Sequence, residues 1–575
     1  MANGFLHVLH RLPQRYTGVV RNPEWGMPVY EEKREGLPPG LEAYRAPRHS
    51  LESYVEDQLN GTHRSRLAPR RGVNLHPYQK DQTERIAAAY YRGAPGYFLA
   101  FPTGSGKTPI AVRACSQLPG ARRVLVITRL AVTDGFREGV DKFGPGNVEW
   151  IVVHPEQLYK LFQHPTTDIT RLPVEQATHL AATDGSPRFT LDAIVCDESH
   201  LFTNPESIRT TLMNRLRMTA SPKAGRVFTL WQSATPFSHP GESGYVADLL
   251  AYVTGQTPPV DAADYGIWLR RLGFRLRKDG SQRWYHEINP ADCELIEQTL
   301  YRAGVGATAT ARQLGLPHQE RQLAPIAFTP AERADYEAEW LSVRERYQLS
   351  VDAAFAPQGN LVKALREVQK ASLIKIPHIA RMVVDLVKEG NQVVVVQWFR
   401  ETVDRTATEI IRAFEAHGLP HRVVVATGEN SRDRERRRQA FQLGVAQVII
   451  TNVLDGINLH AGEQNVGGRG QDATTAPRVC LIADVLTGGK RCLQAEGRTQ
   501  RDGLSSLVLY AYAEGTTEER WLALALRGMS NTQALTSDPD EAGELAALSE
   551  ELETKFVTPQ RRENDANRSK EKANW

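Results

Sequence analysis

From about residue 71 the chain alternates short apolar runs with longer stretches of helical periodicity. GYFLAF (96–101), RVLVIT (123–128), VEWIVV (148–153), DAIVCD (192–197) and RVFTLW (226–231) are short, β-branched or aromatic, and apolar on both faces. That pattern marks strands buried in a parallel sheet rather than half-exposed antiparallel ones. A second series follows: QVVVVQWF (392–399), RVVVAT (422–427), QVIITN (447–452), RVCLIA (478–483) and SLVLYAY (506–512). Helical stretches such as 401–417 and 431–443 separate these runs. The alternation predicts an α/β protein with two doubly wound parallel-sheet domains in tandem.

The remaining segments suggest boundaries. Residues 1–70, rich in Pro, Gly and Arg, are expected to form an N-terminal extension. The first domain spans 71–318 and closes with a helical, irregular insertion over about 238–318, and the second spans 319–529. Residues 530–575 are expected to be a polar C-terminal tail; its last stretch, RRENDANRSKEKANW, has little to bury and is expected to be disordered.

Composition narrows the class without changing this picture. A chain of 575 residues exceeds the ~250–300 at which single cores stop growing. With 41% hydrophobic and 24% charged residues it is no collagen, wholly disordered chain or disulfide scaffold. No run approaches the ~18 apolar residues of a membrane helix, and MANGFLHVLHRLPQRY is broken by His and Arg too early for a secretory segment. Cys115, Cys196, Cys293, Cys480 and Cys492 form no CxxC and no zinc-spaced cluster. A cytoplasmic protein without structural metal is expected. The 70 basic residues against 67 acidic ones leave a net +3, so local charge decides whether a polyanion binds.

The sharpest chemical signal is FPTGSGKTPIAVRA (101–114). An apolar run leads into Thr103-Gly104-Ser105-Gly106-Lys107-Thr108, and a helical stretch follows. Gly104 and Gly106 let backbone N–H groups close around phosphate oxygens, with the helix N-terminus adding a favourable dipole. Lys107 reaches the β/γ-phosphates in such a loop, and the Thr108 hydroxyl sits on Mg²⁺. The strict motif wants Gly where Phe101 stands.

Some 90 residues on, DAIVCDESH ends an expected strand in Asp197-Glu198-Ser199-His200, where parallel sheets bind ligands. Asp197 is suited to Mg²⁺, and Glu198 to the attacking water. Ser233-Ala234-Thr235-Pro236 again follows a strand, and QAEGRTQRDG places Gln494, Gly497, Arg498 and Arg501 in the second domain. Arg498 and Arg501, three apart, share a helical face and could supply charge to a γ-phosphate across a cleft.

Taken in order over about 71–525, these motifs resemble the superfamily 2 helicase and translocase ATPases. The resemblance implies two RecA-like domains with ATP and Mg²⁺ bound between them. DESHLFTN (197–204), Phe328-Thr329-Pro330, GINLHA (456–461) and EGTTEER (514–520) resemble segments of the Swi/Snf branch. RAGVGATATARQLGL (302–316), GINLHA and LQAEGRTQR resemble strawberry-notch-type relatives common in phage genomes. Departures include Thr203 where Lys is usual, and QSATP in place of Thr-Gly-Thr-Pro.

The resemblance also implies residue roles. Gln79 in LHPYQ (75–79) is expected to read adenine, with Tyr78 packed nearby, and Gly456 to lie near the nucleotide. His200, Ser233, Ala234, Thr235 and Gln494 would couple the ATP site to the strand-binding side, and Asn458 would contact nucleic-acid backbone.

YGIWLRRLGFRLRKDGSQRWYH (265–286) carries Arg270, Arg271, Arg275 and Arg277 with Trp268, Phe274 and Trp284 interleaved. That mixture suits backbone charge plus base stacking, and equally a core segment with a solvated basic face. The expected partner is DNA, single- or double-stranded, with RNA open. Strand separation, duplex translocation without it, and a binding module using ATP as a conformational switch all stay open. A small-molecule P-loop kinase fails on the second domain and its arginines.

Overall fold

The computed structural model describes residues 19–21, 28–30, 75–144, 148–221, 226–258, 264–275, 289–317, 319–347, 361–427, 431–452, 459–463, 466, 471–485, 488–500 and 506–554. The expected extension is thus described only where Val19–Arg21 pairs antiparallel with Pro28–Tyr30.

All five runs of the first series are strands. β1 (Gly96–Ala100), β2 (Arg123–Ile127), β3 (Glu149–Val153), β4 (Ala193–Asp197), β5 (Phe228–Gln232) and β6 (Gly306–Thr308) form a sheet in the order β6-β1-β5-β4-β2-β3. Every pairing in it is parallel. Every residue of β1, β4 and β5 is buried, which is why these strands lack polar alternation.

The second series behaves alike. β7 (Glu320–Ile326), β8 (Gln392–Val396), β9 (Val423–Ala426), β10 (Val448–Thr451), β11 (Arg478–Ile482) and β12 (Ser506–Ala513) form a parallel sheet in the order β7-β12-β11-β8-β10-β9. Val393 and Val395 enter one apolar cluster and Val394 and Val396 another, so both faces of the sheet are covered.

Two edge strands escaped the hydrophobic pattern. β6 is three small residues inside the segment expected to be helical and irregular, and β7 opens on the polar run Glu320-Arg321-Gln322 and carries Pro325. Edge positions tolerate both features, because one side of the strand needs no ladder partner.

The polar tail expected from residue 530 contributes to the core through residue 554. The helix Thr517–Leu535 runs past 530, residues 539–554 are helical, and Leu545 and Leu552 are buried with the second domain's apolar cluster. The charged residues between them hide a short apolar stripe. Residues 555–575 lie outside the described residues.

No helix among the described residues is long and apolar enough to cross a membrane.

Candidate functional site

The loop after β1 turns on two left-handed glycines, Gly104 (φ 85) and Gly106 (φ 74), conformations open to Gly without strain. Gly106 caps α1 (Lys107–Ser116), so the loop's N–H groups and the helix N-terminus converge. Lys107 Nζ donates to the carbonyls of Phe101 at 2.9 Å and Pro102 at 3.0 Å, drawing the loop closed.

Gln79 underlies this loop rather than reaching outward. Its Nε2 donates to Ser105 O at 3.4 Å, its Oε1 accepts from His76 N at 2.9 Å, and the residue is buried. Tyr78 donates to the same Ser105 carbonyl at 2.7 Å. A Cβ on Gly106 would lie 2.2 Å from Gln79 Nε2, the movable end of a flexible side chain, so it is the left-handed φ that calls for glycine there. In this arrangement Gln79 fixes the loop's shape, and its amide is occupied by backbone.

β4 delivers the acidic pair. Asp197 is buried, accepting from Thr128 Oγ1 at 2.8 Å and Gln232 Nε2 at 2.9 Å. Burial and the neighbouring Glu198 charge raise its carboxyl, against the pull of those two hydrogen bonds and Lys107. Glu198 adopts a left-handed backbone (φ 55), unusual for a non-glycine residue, which turns its side chain off the strand direction. Burial opposes its charge, but His200, Lys107 and Arg498 together hold its carboxyl well below the ordinary range.

Ser105 Oγ and Thr235 Oγ1 are buried and make no hydrogen bond among the described residues. Unsatisfied buried oxygens beside an ammonium and a glycine loop fit a polyanionic ligand and its hydrated cation. Thr108 and Asp197 are the oxygen donors suited to Mg²⁺.

His200 is where the two domains meet. Its Nδ1 lies 3.0 Å from Ser233 Oγ and 3.3 Å from Glu198 Oε2. Its Nε2 lies 2.8 Å from Arg129 NH2 and 3.2 Å from Gln494 Nε2, the latter from the second domain. Arginine can only donate, so Nε2 is the acceptor and a neutral ring carries its proton on Nδ1, towards Ser233 and Glu198. Ser233 Oγ in turn accepts from Thr235 N at 3.1 Å. Of the expected coupling group, His200, Ser233, Thr235 and Gln494 are therefore joined by contacts, and Ala234 lies between Ser233 and Thr235 in the same turn.

The arginine loop lies against the glycine loop Thr103–Gly106. A Cβ on Gly497 would lie 2.9 Å from Thr103 Cβ, so only glycine permits this approach of the two domains. Arg498 follows, close enough for its charge to depress the Glu198 carboxyl. A second tie between domains joins Lys490 to Glu242.

Arg501, Gly456, Asn458 and Arg277 lie outside the described residues. Arg271 and Arg275 are exposed and Arg270 is half-buried, but Trp268 and Phe274 are buried in the first domain's core. Those two aromatics are therefore packing residues and not stacking platforms: Tyr265, Trp268, Leu269 and Phe274 face inward, leaving Arg271 and Arg275 at the surface.

Thr128, Arg129 and Gln232 were missed by motif reading. Each stands at or just beyond the carboxyl end of β2 or β5, and that position alone was the available signal.

Residues 72–224 match the family described as "Type III restriction enzyme, res subunit". No curated protein matches the chain. Similar solved structures include a Sulfolobus solfataricus SWI2/SNF2 ATPase core in complex with dsDNA, 16% identical over 84% of this chain and 96% of that one (TM-score 0.31). The Sulfolobus solfataricus SWI2/SNF2 ATPase core domain alone is 15% identical over 79% and 88% (TM-score 0.32). A Pyrococcus furiosus Hef helicase domain is 12% identical over 78% and 97% (TM-score 0.41). At such scores these likenesses decide nothing about activity. The family match and the ordered motifs give the chain its resemblance to superfamily 2 helicase-like ATPases.

Proposed function

We propose that the protein is a DNA-dependent ATPase that moves along its substrate as a helicase or translocase. The observation that carries this reading is the His200 junction, where Gln494 of the second domain contacts the residue that faces Glu198 in the first. That contact gives the ATP site of the first domain a direct line to the second, as a motor needs.

In this reading Thr103, Gly104, Ser105 and Gly106 wrap the phosphates, and Lys107 exchanges its loop carbonyls for phosphate oxygens. Thr108 and Asp197 hold Mg²⁺, which when bound neutralises phosphate charge. Glu198, kept ionised, orients the attacking water and accepts its proton. Arg498, with Arg501, supplies positive charge to the transferring phosphoryl group from across the cleft, a contribution of roughly 10³–10⁵ in rate where such arginines operate. Cyclic opening and reclosing of the domains parts and rejoins Arg498 and Glu198 and changes the contact at His200, and the cycle is converted into steps along the strand.

Phosphate release measured without nucleic acid and with single-stranded DNA, duplex DNA and RNA tests the reading, with Lys107→Ala as control. Stimulation of the wild type by DNA and its loss in the variant are expected. Hydrolysis indifferent to every nucleic acid overturns the motor reading. A strand-displacement assay then separates unwinding from translocation.

A further inference from the structure

The arginine loop stands on a buried ion cluster. The side chains of Glu496, which immediately precedes Gly497 and Arg498, and of Arg321 on β7 are each 1% exposed. Arg321 donates through Nε and NH2 to the two Glu496 oxygens, each at 3.0 Å, a bidentate pair of fixed geometry. The Tyr510 hydroxyl donates to the same carboxylate. The Glu496 carbonyl accepts from Gln319 Nε2 and Thr499 Oγ1, each at 3.0 Å.

The same guanidinium is shared with the helix of residues 539–554. Glu541 accepts from Arg321 NH2, and Glu544 Oε1 lies 3.9 Å from its NH1. A cavity of about 510 Å³, lined by Thr103 and Thr235 of the first domain and by Arg321, Glu496 and Gln500, borders the loop. Arg498 O accepts from Leu459 N at 2.9 Å and Gln500 donates to Pro317 O, so the ion cluster is the buried, charged part of the hold on the loop.

The chain leading to Glu541 also grips the first domain. Tyr301 OH donates to Leu535 O at 3.2 Å, and Thr308 Oγ1 donates to Thr536 O. Thr308 ends β6, which pairs with β1, the strand that feeds the phosphate loop.

We propose that residues 535–541 form a strap that transmits the position of the first domain to the arginine loop, with Arg321, Glu496 and Glu541 as positioning residues for Arg498. The inference rests on the ATPase reading above. When the first domain shifts, the strap moves Glu541 against Arg321. Because Glu541 and Glu496 divide the donors of one guanidinium, that movement alters the hold on Glu496 and so the reach of Arg498.

The test compares the wild type with Glu541→Gln, Glu541→Asp and the double variant Tyr301→Phe/Thr308→Ala. It measures kcat and KM for MgATP, and the affinities for MgADP alone and for MgADP with aluminium fluoride. A displaced arginine loop lowers kcat and fluoroaluminate-dependent affinity by ~10-fold in Glu541→Gln, with KM and MgADP affinity held within about twofold. Glu541→Asp recovers part of the loss, and the double variant reproduces it with Glu541 intact.

A wild-type kcat in Glu541→Gln, or an equal loss of both affinities, overturns the positioning role. A silent double variant overturns the strap. Absence of hydrolysis in the wild type overturns the ATPase reading and this inference with it, whereas failure in the variants alone leaves that reading standing.

Discussion

At the scale of single residues, Lys160 is a buried amine that the proposed chemistry does not use. It lies in the turn Pro155–Leu161 after β3, is 4% exposed, and its Nζ makes no hydrogen bond among the described residues. Burial lowers its pKa to about 8. The folded value lies below the ordinary one, so charging the amine disfavours the fold. That penalty is fully present below pH 8 and fades as pH rises towards ~10.4, the unfolded value. Lys160→Met is therefore expected to stabilise the protein by up to ~3 kcal/mol at neutral pH, with the gain shrinking at alkaline pH. Denaturant unfolding at pH 7 and pH 10 checks it, and an equal or larger gain at pH 10 sinks the account. Gly497 makes a different residue-level point. Its neighbours in sequence place it in an arginine motif, but its need to be glycine comes from Thr103, nearly 400 residues earlier, so no local pattern could reveal it.

At the scale of elements, the helices that carry the second domain's chemistry depend on close backbone approach. The helix Gly489–Glu496 packs on Thr517–Leu535 at Gly489, where a Cβ would lie 2.7 Å from the backbone of Gly528 and Met529. Backbone cannot yield as a flexible side chain can. Gly489→Ala is expected to cost about 1–3 kcal/mol, the usual range for overpacking. Because this helix presents Gln494 and leads to Arg498, hydrolysis should fall with it. A melting temperature unchanged from the wild type would sink the packing account. Strands β1–β5 and β8–β12 were readable because each is a run of apolar residues, the edge strands β3 and β9 included. β6 and β7 were not, because three small residues in one and a polar opening with Pro325 in the other give no such run.

At the scale of the whole molecule, the second domain is completed by residues that read as a tail. Ending the chain at residue 536 would remove Leu545 and Leu552 from the core and Glu541 from Arg321. Each buried leucine is worth about 1.5–3 kcal/mol, so the truncated protein should melt substantially lower; calorimetry with an unchanged transition would return 539–554 to a surface role. The sequence by itself determined the two parallel sheets, the phosphate loop and the acidic pair. Those features are written in contiguous residues, whose apolar runs and glycine spacing act locally. Only the tertiary structure decided that Gln79 supports the loop, that Trp268 and Phe274 are packed inside, and that His200 gathers Arg129, Ser233 and Gln494. It alone joined Arg321 to Glu496 and Glu541. Each of these depends on distances between segments far apart in the chain, and hydrophobic periodicity does not encode such distances.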